Sequence, residues 1–151
     1  MYSFAEIRNP QQIKVAAFTL QSNTHSTAST VQQLFDFLSD FKNFKEILPA
    51  DKVENFEYTA EQCSFNIKGI TPMTIHLAEK NPYHSLVFTS QGLAKFNFTL
   101  VAKFQGDAAA TGTCSVDLQG DLNPFIKAMA EKPLGNLVNS MALKLSQLQL
   151  P

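Results

Sequence analysis

Three histidines, two cysteines and a crowd of carboxylates are the groups in this 151-residue chain that could carry chemistry. His25 lies in a polar run, His84 follows a turn at Asn81-Pro82, and His76 falls on the polar phase of an alternating stretch, against Met73, Ile75 and Leu77. None stands at ligand spacing from another histidine, a cysteine or a carboxylate, so no metal site is expected. Cys63 and Cys114 are far apart in sequence and outside any catalytic context, and they read as buried, reduced thiols. Asp36, Asp40, Glu46, Asp51, Glu54, Glu57 and Glu61 crowd together, but most fall on solvent phases of helices or turns. They form a solvated acidic face rather than a catalytic dyad. The chain has no G-x-S-x-G elbow and no glycine-rich phosphate loop. Neither a catalytic residue nor a cofactor is expected.

Composition narrows the partners. A hydrophobic fraction of 44% with 17% charged residues suits a globular chain, and the length suits one domain. The net charge of −1, without a basic run, gives nucleic acid no electrostatic footprint. Thirteen phenylalanines and no tryptophan argue for a dry interior, because phenylalanine packs by area and carries no polar handle. No apolar run approaches the roughly 20 residues of a membrane span. Glu6 and Arg8 precede any apolar run, unlike a signal peptide, and cytoplasmic residence is the resulting expectation.

The elements that must position any site follow from periodicity. Met1–Gln12 reads as a lead-in to a single domain over residues 13–151. Ile13–Thr24 predicts a first strand of ambiguous phase. Ser29 with Gln32 predicts a capping box for a helix burying Val31, Leu34, Phe35, Leu38 and Phe41. A short second helix over Phe41–Leu48 turns Phe44, Ile47 and Leu48 inward and ends at Pro49. The period then switches to two. Val53–Tyr58, Cys63–Ile67, Met73–Leu77, Leu86–Phe88, Phe96–Phe104 and Cys114–Leu118 read as six strands joined by short turns, hence antiparallel with one buried and one wet face.

The chain closes on a long helix. Asn123 caps it and Pro124 occupies its first turn. Phe125, Ile126, Met129 and Ala130 make one apolar patch, and Leu134, Leu137, Val138, Met141, Leu145 and Leu148 make a stripe. Pro133 lies between them and predicts a kink.

This order of elements resembles the START/SRPBCC superfamily. The resemblance runs from about Ile13 to Leu148 and is carried by Leu34-Phe35-Asp36-Phe37-Leu38-Ser39-Asp40, Phe44 and Leu48-Pro49. Asp51-Lys52-Val53-Glu54 and the stretches Asp121–Pro124 and Glu131–Leu134 are similar to a bacterial branch. The resemblance implies an α+β helix-grip fold: a curved antiparallel sheet of about seven strands, with two short helices after the first, gripping the C-terminal helix. It also implies a cavity between sheet and helix, and it brings no single catalytic motif.

The inward strand phase is almost wholly apolar, which leaves general acid–base chemistry without a titratable group. The expected function is therefore non-enzymatic binding or transport of a small hydrophobic ligand such as a lipid, quinone, isoprenoid or polyketide-like molecule. Phe65, Ile67, Met73, Ile75, Phe88, Phe96, Phe98, Met129 and Met141 are its expected contacts. A cyclase or dehydratase of the same superfamily would instead need Tyr58, His76 or Asn97 inside the cavity. A protein-interaction module would show a solid interior and an exposed apolar patch.

Overall fold

The computed structural model describes residues 16–68, 72–90, 97–122 and 124–151. The lead-in, the start of the first strand at residues 13–15, Phe96 and the Asn123 cap lie outside the described residues. The elements run β1 (Ala16–Gln21), β2 (His25–Thr30), α1 (Val31–Leu38), a 3-10 helix η1 (Phe41–Ile47), β3 (Val53–Tyr58), β4 (Gln62–Ile67), β5 (Pro72–Asn81), β6 (Ser85–Ser90), β7 (Asn97–Gln105), β8 (Thr111–Leu122) and α2 (Pro124–Gln147).

All strand pairs are antiparallel, in the order β1-β8-β7-β6-β5-β4-β3, with β2 also pairing β8. The long helix packs on β8, β2 and β1 and touches η1. Among the described residues the sheet therefore has eight strands where about seven were expected, because a second strand follows the expected first one before the helix. β1 resolves the ambiguous phase: Phe18 is buried and Thr19 exposed. β2 is the added strand. Its inward positions are hydroxyls, Thr27 and Ser29, so hydrophobic periodicity does not register it.

The two buried hydroxyls of β2 both donate and accept. Thr27 Oγ1 donates to the Ser29 carbonyl (2.8 Å) and accepts from the Gly112 N–H (2.9 Å). Ser29 Oγ donates to the Leu148 carbonyl (2.7 Å) and accepts from the Leu150 N–H (2.9 Å). Ser29 is thus a clasp for the chain's end and not the helix cap. The cap is Thr30, whose Oγ1 accepts from the Gln33 N–H while Gln33 Oε1 accepts from the Thr30 N–H. The stretch Ser29-Thr30-Val31-Gln32-Gln33 offers the same capping pattern in two frames. Pairing of Thr30 with Thr111 keeps the strand going one residue longer and selects the second.

One core cluster takes Val31, Leu34, Phe35 and Leu38 from α1, Phe41, Phe44 and Ile47 from η1, and the inward residues of the sheet. The long helix is unbroken through Pro133, but its burial changes there. Leu134, Leu137, Val138, Met141, Ala142 and Leu145 are buried, whereas Phe125 is 75% and Met129 61% exposed. The expected apolar patch is therefore not a second buried face. At 3.6 residues per turn, Phe125 comes about 180° and Met129 about 140° from Leu134, while Ala130 stays in phase and is buried.

Cys63 and Cys114 are free and buried. Burial raises their pKa, to about 12 for Cys63 and about 11 for Cys114. Each folded value lies above its ordinary value of 9.0, so the neutral thiols favour the fold below pH 9.0, and this contribution fades as pH climbs toward 11 to 12. Three outcomes follow. A disulfide-exchange thiol reagent at pH 8 labels neither cysteine in the native protein and both after unfolding in urea; rapid native labelling would contradict the burial. In urea titrations, Thr30→Ala lowers stability by about 1 kcal/mol. Ser29→Ala, which strands two partners near the chain's end, lowers it by about 1–3 kcal/mol, and a silent Ser29→Ala would remove the clasp from the account.

Candidate ligand-binding site

Register assembles the inner face from residues far apart in sequence. Leu20, Leu118, Leu100, Phe88 and Leu77 stand side by side across β1, β8, β7, β6 and β5. Val116, Ala102 and Leu86 form a second row. On the other wing Met73 pairs with Phe65, and Ile75 with Cys63. Antiparallel alternation turns all of them to one side, where α2 and the short helices cover them.

Seven of the expected contacts are placed together by this geometry. Phe65, Ile67, Met73, Ile75, Phe88 and Phe98 lie buried on the inner phase of the sheet, and Met141 is buried on α2. Met129 is separated from them on the solvent side of the helix, and Phe96 lies outside the described residues.

The short helices add rings that sequence reasoning placed in the core but not at the site. Phe44 stacks on Phe65 with centroids 6.4 Å apart and meets Phe88 edge-on at 5.3 Å. Phe41 meets Phe88 at 5.8 Å. Phe35 packs edge-on against Phe104 at 6.2 Å and Tyr83 at 5.2 Å. Such offset and edge-to-face pairs add about 0.5–1.5 kcal/mol each beyond their buried area. The inward helical phase of Phe41 and Phe44 carried the signal. What they face is set by the tertiary arrangement.

Among the described residues, the buried polar side chains are Thr27, Ser29, Asp117 and Ser146. Asp117 sits on the outer phase between inward Val116 and Leu118 and forms an ion pair with Lys103. Among the described residues, the fully buried inner face thus holds no carboxylate, imidazole or amine, and burial raises the pKa of its two thiols. The groups an enzyme reading needs lie elsewhere. His76 is in register with Thr89 and Gln62, its Nε2 is hydrogen-bonded to Thr89 Oγ1 at 3.0 Å, and it is on the phase opposite Ile75. Asn97 is exposed on the outer phase. Tyr58 shares the phase of Cys63 but stands on the edge strand, 54% exposed. No group of three or more potential metal ligands occurs among the described residues.

No protein-family model matches the chain, and no curated protein does. Solved structures do. Norcoclaurine synthase from Thalictrum flavum, in complex with dopamine and hydroxybenzaldehyde, superposes with a TM-score of 0.65 at 10% identity, covering 97% of this chain and 91% of that one. A protein from Thermobifida fusca gives 0.59 at 16% identity, covering 85% and 90% of the two chains. A conserved protein from Geobacillus kaustophilus gives 0.60 at 12% identity, covering 85% and 93%. At these identities the likeness is one of fold, and function does not travel with it. The described residues form an antiparallel sheet closed over a long C-terminal helix, with a short helix pair near its start, and the likeness to these structures is that of the helix-grip fold.

Proposed function

We propose that this protein binds a small hydrophobic molecule against the inner face of its sheet. The observation that carries the reading is the chemistry of that face: apolar rows across seven strands, with no ionisable side chain among the described residues of its fully buried part apart from two neutral thiols. Such a surface can desolvate a ligand and hold it by contact area, at about 25 cal/mol per Å² of apolar surface removed from water. It offers no group to move a proton at neutral pH. The proposed contacts are Phe65, Ile67, Met73, Ile75, Phe88, Phe98 and Met141, with Phe41 and Phe44 packed beside them.

The two methionines suit the role because an unbranched thioether adapts to irregular partners. Met73 comes from β5 and Met141 from α2, so the ligand lies between sheet and long helix. The alternative of a cyclase or dehydratase is less well supported, since His76, Asn97 and Tyr58 are each turned outward or held at the rim.

Organic-solvent extraction of the purified protein, followed by mass spectrometry, is expected to yield a stoichiometric apolar compound. Stripping that compound lowers the melting temperature, and adding it back at about 100 times its Kd restores about 2.7 kcal/mol. Protein that yields no compound, and whose melting is unmoved by an environment-sensitive hydrophobic dye, would sink the proposal.

A further inference from the structure

The outer face of the sheet carries a second feature, independent of the inner-face reading. Gln62, His76, Thr89, Thr99, Gln119 and Thr19 are register partners in one row across β4, β5, β6, β7, β8 and β1. Six strands thus present an unbroken line of hydroxyl, amide and imidazole groups, one every 4.8 Å or so. Asn97 and Asp121, themselves register partners, stand on the same face two residues along their strands from Thr99 and Gln119.

Between these rows lies a groove of about 490 Å³. Its walls are Thr19, Gln119, Thr99 and Thr89 on one side and Asn97 and Asp121 on the other. Its floor is the row Phe18, Gly120, Phe98 and Ser90, whose side-chain phase is inward. Gly120 keeps this floor tight, for a Cβ there would meet the Asn97 carbonyl oxygen at 2.7 Å and the Phe18 ring at 2.9 Å. The groove crosses four strands and so runs about 14 Å.

We infer that this groove binds a neutral, polyhydroxylated ligand, a short glycan, across β1, β8, β7 and β6. Threonine is common on wet sheet faces, but here the polar groups line a concavity, and most are uncommitted. Among the described residues, Thr89 is bonded to His76, whereas the side chains of Thr19, Thr99, Gln119, Asn97 and Asp121 make no hydrogen bond or ion pair. The chemistry selects the ligand. Hydroxyls and amides both donate and accept, and the Asp121 carboxylate accepts from neighbouring sugar hydroxyls while the Asn97 amide donates to them. Among the described residues, the walls hold no lysine or arginine for phosphate. They hold no apolar pocket to anchor the side chains of a peptide.

The test is a titration of the isotope-labelled full chain with maltotriose, cellotriose and N,N′,N″-triacetylchitotriose, followed by backbone amide shifts. At least one is expected to shift the amides of Thr19, Thr99 and Gln119 with a Kd on the order of 1 mM. Gln119→Ala and Thr99→Val each weaken it by about tenfold, the worth of one lost hydrogen bond. Both side chains are partly or fully exposed, and circular dichroism verifies that each variant keeps its fold. No shift up to about 20 mM of any sugar, shifts that both folded variants leave unchanged, or shifts produced only by a divalent-metal chloride through Asp121 would each overturn the inference.

Discussion

The pairing of β7 with β8 is the constraint on which the rest of the molecule depends. Nine register pairs, from Asn97 with Asp121 to Gln105 with Thr113, lock β7 and β8 together. A slip of β7 by one residue against β8 would turn Leu100 and Ala102 to water and Thr99 to the core, because the side-chain period of a strand is two. The apolar inner face and the polar outer row are therefore two readings of one ladder. β1, β2 and β6 attach to it, and α2 lies over β8 because its apolar stripe needs the cover that Val116 and Leu118 begin.

The stripe on α2 is held from its C-terminal end. Ser29 binds the Leu148 and Leu150 backbone, and Gln33 Nε2 donates to the Pro151 carbonyl at 2.8 Å. The Asn23 N–H also donates to Asn139 Oδ1 at 3.1 Å, which ties the β1–β2 connection to the middle of the helix. Toward its start the helix is held less, with Phe125 and Met129 facing water. The gripped part of the helix is the part after Pro133, which is where Met141 meets the core.

Much of this was legible in the sequence because strict alternation leaves little freedom. The runs Cys63–Ile67, Phe98–Phe104 and Cys114–Leu118 each put every second residue into the core, as their pattern requires. β2 was not legible, since its buried positions are Thr27 and Ser29 and their hydroxyls are satisfied by partners remote in sequence. The apolar patch at the start of α2 gives no buried face at Phe125 and Met129, because apolar content without angular phase does not set burial. The outer row of Gln62, His76, Thr89, Thr99, Gln119 and Thr19 was invisible for a different reason. Each strand shows only a polar residue at its wet phase, and register alone aligns them.

The helix-grip fold is shared with a plant synthase, so the fold alone does not separate binding from catalysis. Our proposal of binding rests on the inner face, where the described residues place no charged side chain and burial raises the pKa of both thiols. Its most direct test uses the methionine methyl groups as reporters. In protein carrying ¹³C-methyl methionine, a bound naphthalene dye is expected to show nuclear Overhauser contacts to Met73 and Met141, which face the interior, and none to exposed Met129. Contacts confined to Met129, with Met73 and Met141 unperturbed, would place the apolar ligand on the surface and contradict the account.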